Sequence, residues 1–159
     1  MGRIGLALTL AGTALLPGCF PQEVACPAIG QVAGVSLTVS AGYAGDVASL
    51  RLKACQDGVC SEGDLMLHPG AVSVDQGCSP DGVCSATSSP DGTLLGSLEL
   101  PALSESPMEA TVSGTSRSGT ALPTRTLTFT PRGDYPYGEQ CGRFISAAVT
   151  LDGEGLRQR

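Results

Sequence analysis

Seven cysteines and a single histidine are the residues of this 159-residue chain best equipped for chemistry. Thiols can pair as disulfides, hold soft metal ions, or act as nucleophiles and acceptors of a covalent group. Four of them lie in two tight segments, Cys55-Gln56-Asp57-Gly58-Val59-Cys60 and Cys78-Ser79-Pro80-Asp81-Gly82-Val83-Cys84. A metal site built from these four would need thiolates, and the C-x4-C and C-x5-C spacings are looser than those of most zinc knuckles. Each segment carries Asp-Gly, which favours a tight turn because glycine takes a positive φ without steric cost. A disulfide from Cys55 to Cys60, and another from Cys78 to Cys84, would staple those turns. The five letters Asp-Gly-Val-Cys-Ser occur at 57–61 and again at 81–85, but the flanks differ and no third copy follows, so they read as two similar turns rather than a solenoid. Pairing Cys26 with Cys141 would then tie the ends of a domain together. Six cysteines allow fifteen connectivities, and the sequence alone does not choose among them.

The remaining chemistry is sparse. A Ser-His-Asp arrangement would have to use His68, which stands before Pro69-Gly70 and reads as a solvated turn residue. No Gly-x-Ser-x-Gly elbow occurs, since the stretch from Gly114 to Ser118 lacks the second glycine where it is needed. Zinc hydrolysis fails for want of imidazoles. The acids are scattered over turns rather than paired for glycoside hydrolysis, and Asp57, Glu62 and Asp64 follow no recognisable calcium-loop spacing. These observations assign no catalytic residue, no metal ligand and no cofactor. One stretch gathers recognition chemistry: Arg132, Tyr135, Tyr137 and Arg143 cluster in a chain otherwise poor in aromatics, and Tyr and Arg are enriched at interface hot spots. This is a candidate binding loop; the alternative is a loop that packs its tyrosines on a domain edge, held there by Cys141.

The seventh cysteine, Cys19, has a different setting. Met1-Gly2-Arg3 supplies one positive charge, Ile4 to Leu16 is an uncharged run of thirteen residues, and Leu16-Pro17-Gly18-Cys19 follows. A run of that length suits a signal-peptide hydrophobic region, whereas a membrane-spanning helix needs about 20 residues. The pattern Leu-x-Gly-Cys resembles the bacterial lipobox. That resemblance implies cleavage between Gly18 and Cys19, a diacylglyceryl group on the Cys19 thiol and an acylated new N-terminus, enough acyl chain for stable anchoring. Assigning Cys19 to lipid leaves six cysteines, an even number, as an exported disulfide-bonded domain requires. The chain as a whole is similar to small, functionally uncharacterised lipoproteins of high-GC Gram-positive bacteria, the specific part of the likeness covering residues 1 to about 27.

Around these residues the chain reads as a leader over 1–18, a lipidated tether over 19–25, one domain over 26–152 and a polar tail over 153–159. From Cys19 onward eight basic residues face fifteen acidic ones, a net charge of −7 without any basic cluster. Nucleic acid is therefore excluded as a natural partner, and membrane contact must come from the lipid. Strand periodicity recurs: Val35 to Val39 alternates, and Val47 to Cys55 places Ala48, Leu50, Leu52 and Ala54 on one face. Met108, Ala110 and Val112 share a face, as do Ile145, Ala147, Val149 and Leu151. Residues 64–67 and 71–74 read as short strands around a turn, 85–93 as a Ser-, Pro- and Gly-rich loop, and 114–123 as a polar hairpin loop. Seven to nine short strands with frequent turns predict an all-β, disulfide-stapled, two-sheet sandwich of immunoglobulin-like kind. The expected role is a membrane-anchored, non-enzymatic binding or interaction module on the extracytoplasmic face, with an envelope protein as partner. A small envelope hydrolase and a purely structural envelope protein are the alternatives.

Overall fold

A computed structural model describes residues 25–159. The expected leader, the Gly18–Cys19 cleavage point and residues 19–24 lie outside the described residues. Among the described residues ten strands form: β1 (Gly34–Val39), β2 (Val47–Gln56), β3 (Val59–Asp64), β4 (His68–Cys78), β5 (Cys84–Glu99), β6 (Met108–Ser116), β7 (Arg125–Phe129), β8 (Arg132–Asp134), β9 (Phe144–Leu151) and β10 (Leu156–Gln158). They make two sheets, one in the order β10-β9-β1-β5-β4 with β8 added against β9, the other in the order β3-β2-β6-β7. The chain is thus an all-β two-sheet sandwich.

The alternation of apolar residues explains where the core sits. Val35, Leu37 and Val39 of β1 and Ala147, Val149 and Leu151 of β9 line one inner face. They meet Leu50, Leu52 and Ala54 of β2 and Met108, Ala110 and Val112 of β6 in a single buried cluster. Strict period two holds because side chains of one strand point alternately to core and solvent. Among these four strands it breaks at the start of β2, where the register with β6 shifts between Val47 and Ser49. That bulge turns Val47 inward and leaves Ala48, expected on the inner face, exposed.

Strand order departs from the immunoglobulin plan at β1. An immunoglobulin domain keeps its first strand at a sheet edge beside the second. Here β1 is central, antiparallel to β5 and parallel to β9, while β2 belongs to the opposite sheet. Of the expected short strand over 64–67, residues 65–67 lie in no strand but link β3 to β4; the remaining differences are extensions of strand. Residues 85–93 are not a loop but most of β5, which runs for 16 residues. His68-Pro69-Gly70 is not a turn but the start of β4, with His68 opposite Leu95 and a register shift between Pro69 and Ala71. Strand β6 continues through Gly114 to Ser116, and a tight turn with hydroxyl bonds among Ser116, Ser118 and Thr120 closes the β6–β7 connection. Within the expected polar tail, Leu156–Gln158 forms β10 against the end of β9.

The pairings define two poles. The start of β1, the end of β5, the start of β9 and all of β8 lie at one pole, where Cys26 is joined to Cys141. At the other pole β1 ends at Val39 opposite Leu94 and passes into the short helix α1 (Ala41–Ala44).

Candidate functional site

The three disulfides pair Cys26 with Cys141, Cys55 with Cys60 and Cys78 with Cys84. The last two are cross-strand links, since each pair stands directly opposite in its hairpin. At the first hairpin Asp57 and Gly58 both take positive φ, 51° and 81°, the turn backbone that Asp-Gly sequences accommodate. Cys19 lies outside the described residues.

The stretch carrying Arg132, Tyr135, Tyr137 and Arg143 runs from the start of β8 through the loop that leads into β9, at the Cys26–Cys141 pole. Its centre is Arg143. The guanidinium Nη2 donates to Glu105 Oε1 at 2.7 Å, the same oxygen accepts the Gly133 N–H at 3.1 Å, and the Tyr135 ring lies 5.7 Å from the guanidinium carbon. Gly133 gives the Arg143 guanidinium room to lie against β8, since a Cβ there would push it aside. Tyr137 sits edge-on to Phe144 with centroids 5.7 Å apart, and the short 3₁₀ turn Glu139–Cys141 brings the chain to the disulfide. The structure therefore joins Arg143 to Tyr135 and seats Tyr137 on the neighbouring Phe144. Arg132 is not part of these contacts; its exposed side chain leaves β8, and its carbonyl accepts the Ser146 hydroxyl at 3.4 Å. Glu105 and Phe144 complete the cluster unforeseen. Glu105 is 38 residues from Arg143, so no spacing rule points to it. Arg143, paired with Glu105 and set over Tyr135, braces the pole, while Tyr135 and Tyr137 stay about 40 % exposed.

The acids weighed as a calcium set go separate ways. Glu62 and Asp64 both face Arg51, at 2.6 Å and 3.1 Å, and the hydrogen bond and charge of Arg51 hold the Glu62 carboxyl below its ordinary range. Asp57 Oδ2 instead accepts the Ser104 hydroxyl. Among the described residues no three His, Cys, Asp or Glu side chains are grouped to hold a metal ion. Nor is any helix among them long and apolar enough to cross a membrane.

A shallow apolar groove of about 170 Å³ lies between Ala54 and Val59 of the β2–β3 hairpin and Leu100, Pro101 and Leu103. Gln56 forms its polar margin. Its amide donates to the Ser104 and Ser106 carbonyls at 3.0 and 2.8 Å and accepts the Ser104 N–H at 3.0 Å.

The largest feature missed in the sequence is a β-ribbon. β5 leaves β1 at Leu94 and continues outward paired with β4 alone, from Ala71 opposite Pro90 to Cys78 opposite Cys84. Nearly every residue of this extension is exposed. At about 3.3 Å per residue, the stretch from Ala71 to Cys78 projects roughly 25 Å. Its base is fixed by Asp91, whose Oδ1 accepts both the Thr93 N–H at 2.9 Å and the Thr93 hydroxyl at 2.7 Å. Those bonds hold the Asp91 carboxyl below its ordinary range. Beside them Gly92, at φ 80°, lets α1 approach, since a Cβ there would stand 3.1 Å from Ala41 Cβ. The ribbon carries Val72, Val74 and Val83 at 51, 41 and 65 % exposure, and its charged side chains are Asp75 and Asp81. No family model, curated protein or solved structure matches this chain.

Proposed function

We propose that the protein is a lipid-anchored, extracytoplasmic interaction module that has no catalytic role and offers the β4–β5 ribbon to its partner. The observation that carries the reading is the opposition of the two poles. The chain comes into the domain at Cys26, seven residues after Cys19, and Cys26 is bonded to Cys141; the ribbon projects from the other end. A module held by one end and exposing a stiff arm at the other suits recognition more than chemistry. The lipobox-like Leu16-Pro17-Gly18-Cys19 and three disulfides, which persist in oxidising compartments, support the anchored, exported setting. A seven-residue connection spans at most roughly 25 Å, which keeps the domain close to the bilayer.

The test is direct. The chain is expressed in a bacterium with lipoprotein processing, extracted with detergent, and its N-terminal peptide analysed by mass spectrometry. The expected result is a diacylglyceryl-modified Cys19 as the first residue, lost in Cys19→Ser, together with protease accessibility of residues 71–90 on intact cells stripped of any outer layer. Soluble release of an unmodified wild-type chain overturns the anchored reading.

A further inference from the structure

We infer that the ribbon's partner is a second copy of this chain, bound by antiparallel pairing of the β4 edges across a two-fold axis at Ser73. The inference rests on the interaction-module reading and names its partner.

The free edge of β4 is open in a way that edges of soluble sheets usually are not. Such edges are blunted by lysine, proline or bulges, yet residues 71–75 of β4 contain no basic residue and no proline, and register shifts fall only on either side of them. The outer edge of β5 is less suitable, because Pro90 at its base has no N–H to donate. Two-stranded ribbons are marginal in water on their own, and this one has no core beneath it.

The sequence Ala71-Val72-Ser73-Val74-Asp75 is complementary to itself. Centred on Ser73, an antiparallel pair sets Val72 of each copy opposite Val74 of the other, and the four valines form one continuous stripe. That stripe carries no charge, since Val72 and Val74 stand opposite Ser89 and Thr87 within the ribbon. Asp75 falls opposite Ala71 of the other copy, so the carboxylates avoid one another. Like charges facing across strands would oppose pairing, and this register contains none.

Charge also decides the geometry. Two copies at −7 from Cys19 onward repel. Pairing centred on Ser73 leaves the two Gly70 positions six residues apart along the strands, about 20 Å. That is more than two Debye lengths at physiological salt, each about 8 Å. The sandwich bodies sit at opposite ends of a four-stranded ribbon that shares residues 71–75, and the tip of each ribbon runs past Gly70 of the other copy. An interface this small belongs to the weak, transient class, with dissociation in the micromolar range or above, which confinement on one membrane would raise to useful occupancy.

The experiment uses the full chain in detergent, with its acylation state checked by mass so that failure of anchoring and failure of pairing are read separately. Sedimentation velocity is expected to show a monomer–dimer equilibrium across micromolar concentrations, shifted at least tenfold toward monomer by Val72→Lys/Val74→Lys. Both side chains are exposed, and circular dichroism with a three-disulfide mass map verifies the variant's fold. Under mild oxidation, Ser73→Cys is expected to yield a covalent dimer linked through the introduced thiols, because opposed residues in antiparallel strands lie within disulfide reach. Ser118→Cys, on the β6–β7 turn, is the control. A wild-type chain monomeric throughout, a dimer that Ser73→Cys links no better than Ser118→Cys, or a dimer indifferent to the valine substitutions overturns the inference.

Discussion

Removing the Arg143 guanidinium would leave Glu105 with only the Gly133 N–H and would free the Tyr135 ring, so one substitution loosens three elements at the Cys26–Cys141 pole. Because the pair is about half exposed, Arg143→Ala is expected to cost only about 1 kcal/mol in urea unfolding. Arg143→Lys should recover part of that loss, as a point charge cannot reproduce both contacts. Gly114 is a harsher site, since a Cβ there would collide with the Ser49 carbonyl and press on Leu50 Cδ2 at 2.8 Å. Gly114→Ala should destabilise by about 1–3 kcal/mol through overpacking. Asp152 shows how a single carboxylate sets an acid limit. Its Oδ1 accepts the N–H groups of Gly155 and Glu154, each at 2.9 Å, and Oδ2 pairs with Arg157 at 2.8 Å. These partners, the Gly155 N–H first, hold its carboxyl below the ordinary aspartate range. A folded-state value below the unfolded one gives stability that is present above the unfolded value and lost as pH falls through the folded one. Asp152→Asn should therefore be less stable than wild type at neutral pH, with the difference vanishing in acid as Asp152 is protonated. Denaturation curves at a series of pH values check this. Residues of this kind were poorly legible in the sequence: Arg143 and Tyr135 stood out by composition, but Glu105 and Asp152 look like ordinary surface acids until the fold brings donors to them.

Strands were legible where burial is periodic and illegible where it is not. β1, β6 and β9 bury alternate residues, so their alternation of apolar and polar letters is the imprint of the core. The first half of β5 touches no core, and its ladder is held by backbone bonds to β4 that leave no periodic trace in the side chains. Ser, Pro and Gly there read as loop for that reason. Likewise β10 follows a polar stretch and is recruited by the end of β9. The same physics makes the ribbon a separate stability unit. Replacing its staple with Cys78→Ser/Cys84→Ser should leave the global unfolding midpoint nearly unchanged while backbone amides of residues 71–90 lose exchange protection. A large fall in the global midpoint would show instead that the ribbon is integral to the sandwich.

Across the whole molecule, the long-range link is Cys26–Cys141, closing 115 residues, against 5 and 6 for the hairpin staples. On the chain-entropy account its loss, in Cys26→Ser/Cys141→Ser, should cost about 4–5 kcal/mol, a large share of the stability of a domain this size. The expected readout is a midpoint lowered by more than about 10 °C, against roughly half that cost for the Cys55–Cys60 pair and little global change for the ribbon staple. The same link settles how this protein answers a pull. A tug on the segment before Cys26 divides at the sulfur, part running through residues 27–33 into β1 and part through Cys141 into β9. β1 and β9 lie side by side and parallel at the centre of the larger sheet, so both are drawn along their length from the same end. Force entering there would meet the sheet in shear, with many backbone bonds stretched together rather than unzipped one by one, so the domain is built to bear load at the Cys26–Cys141 pole.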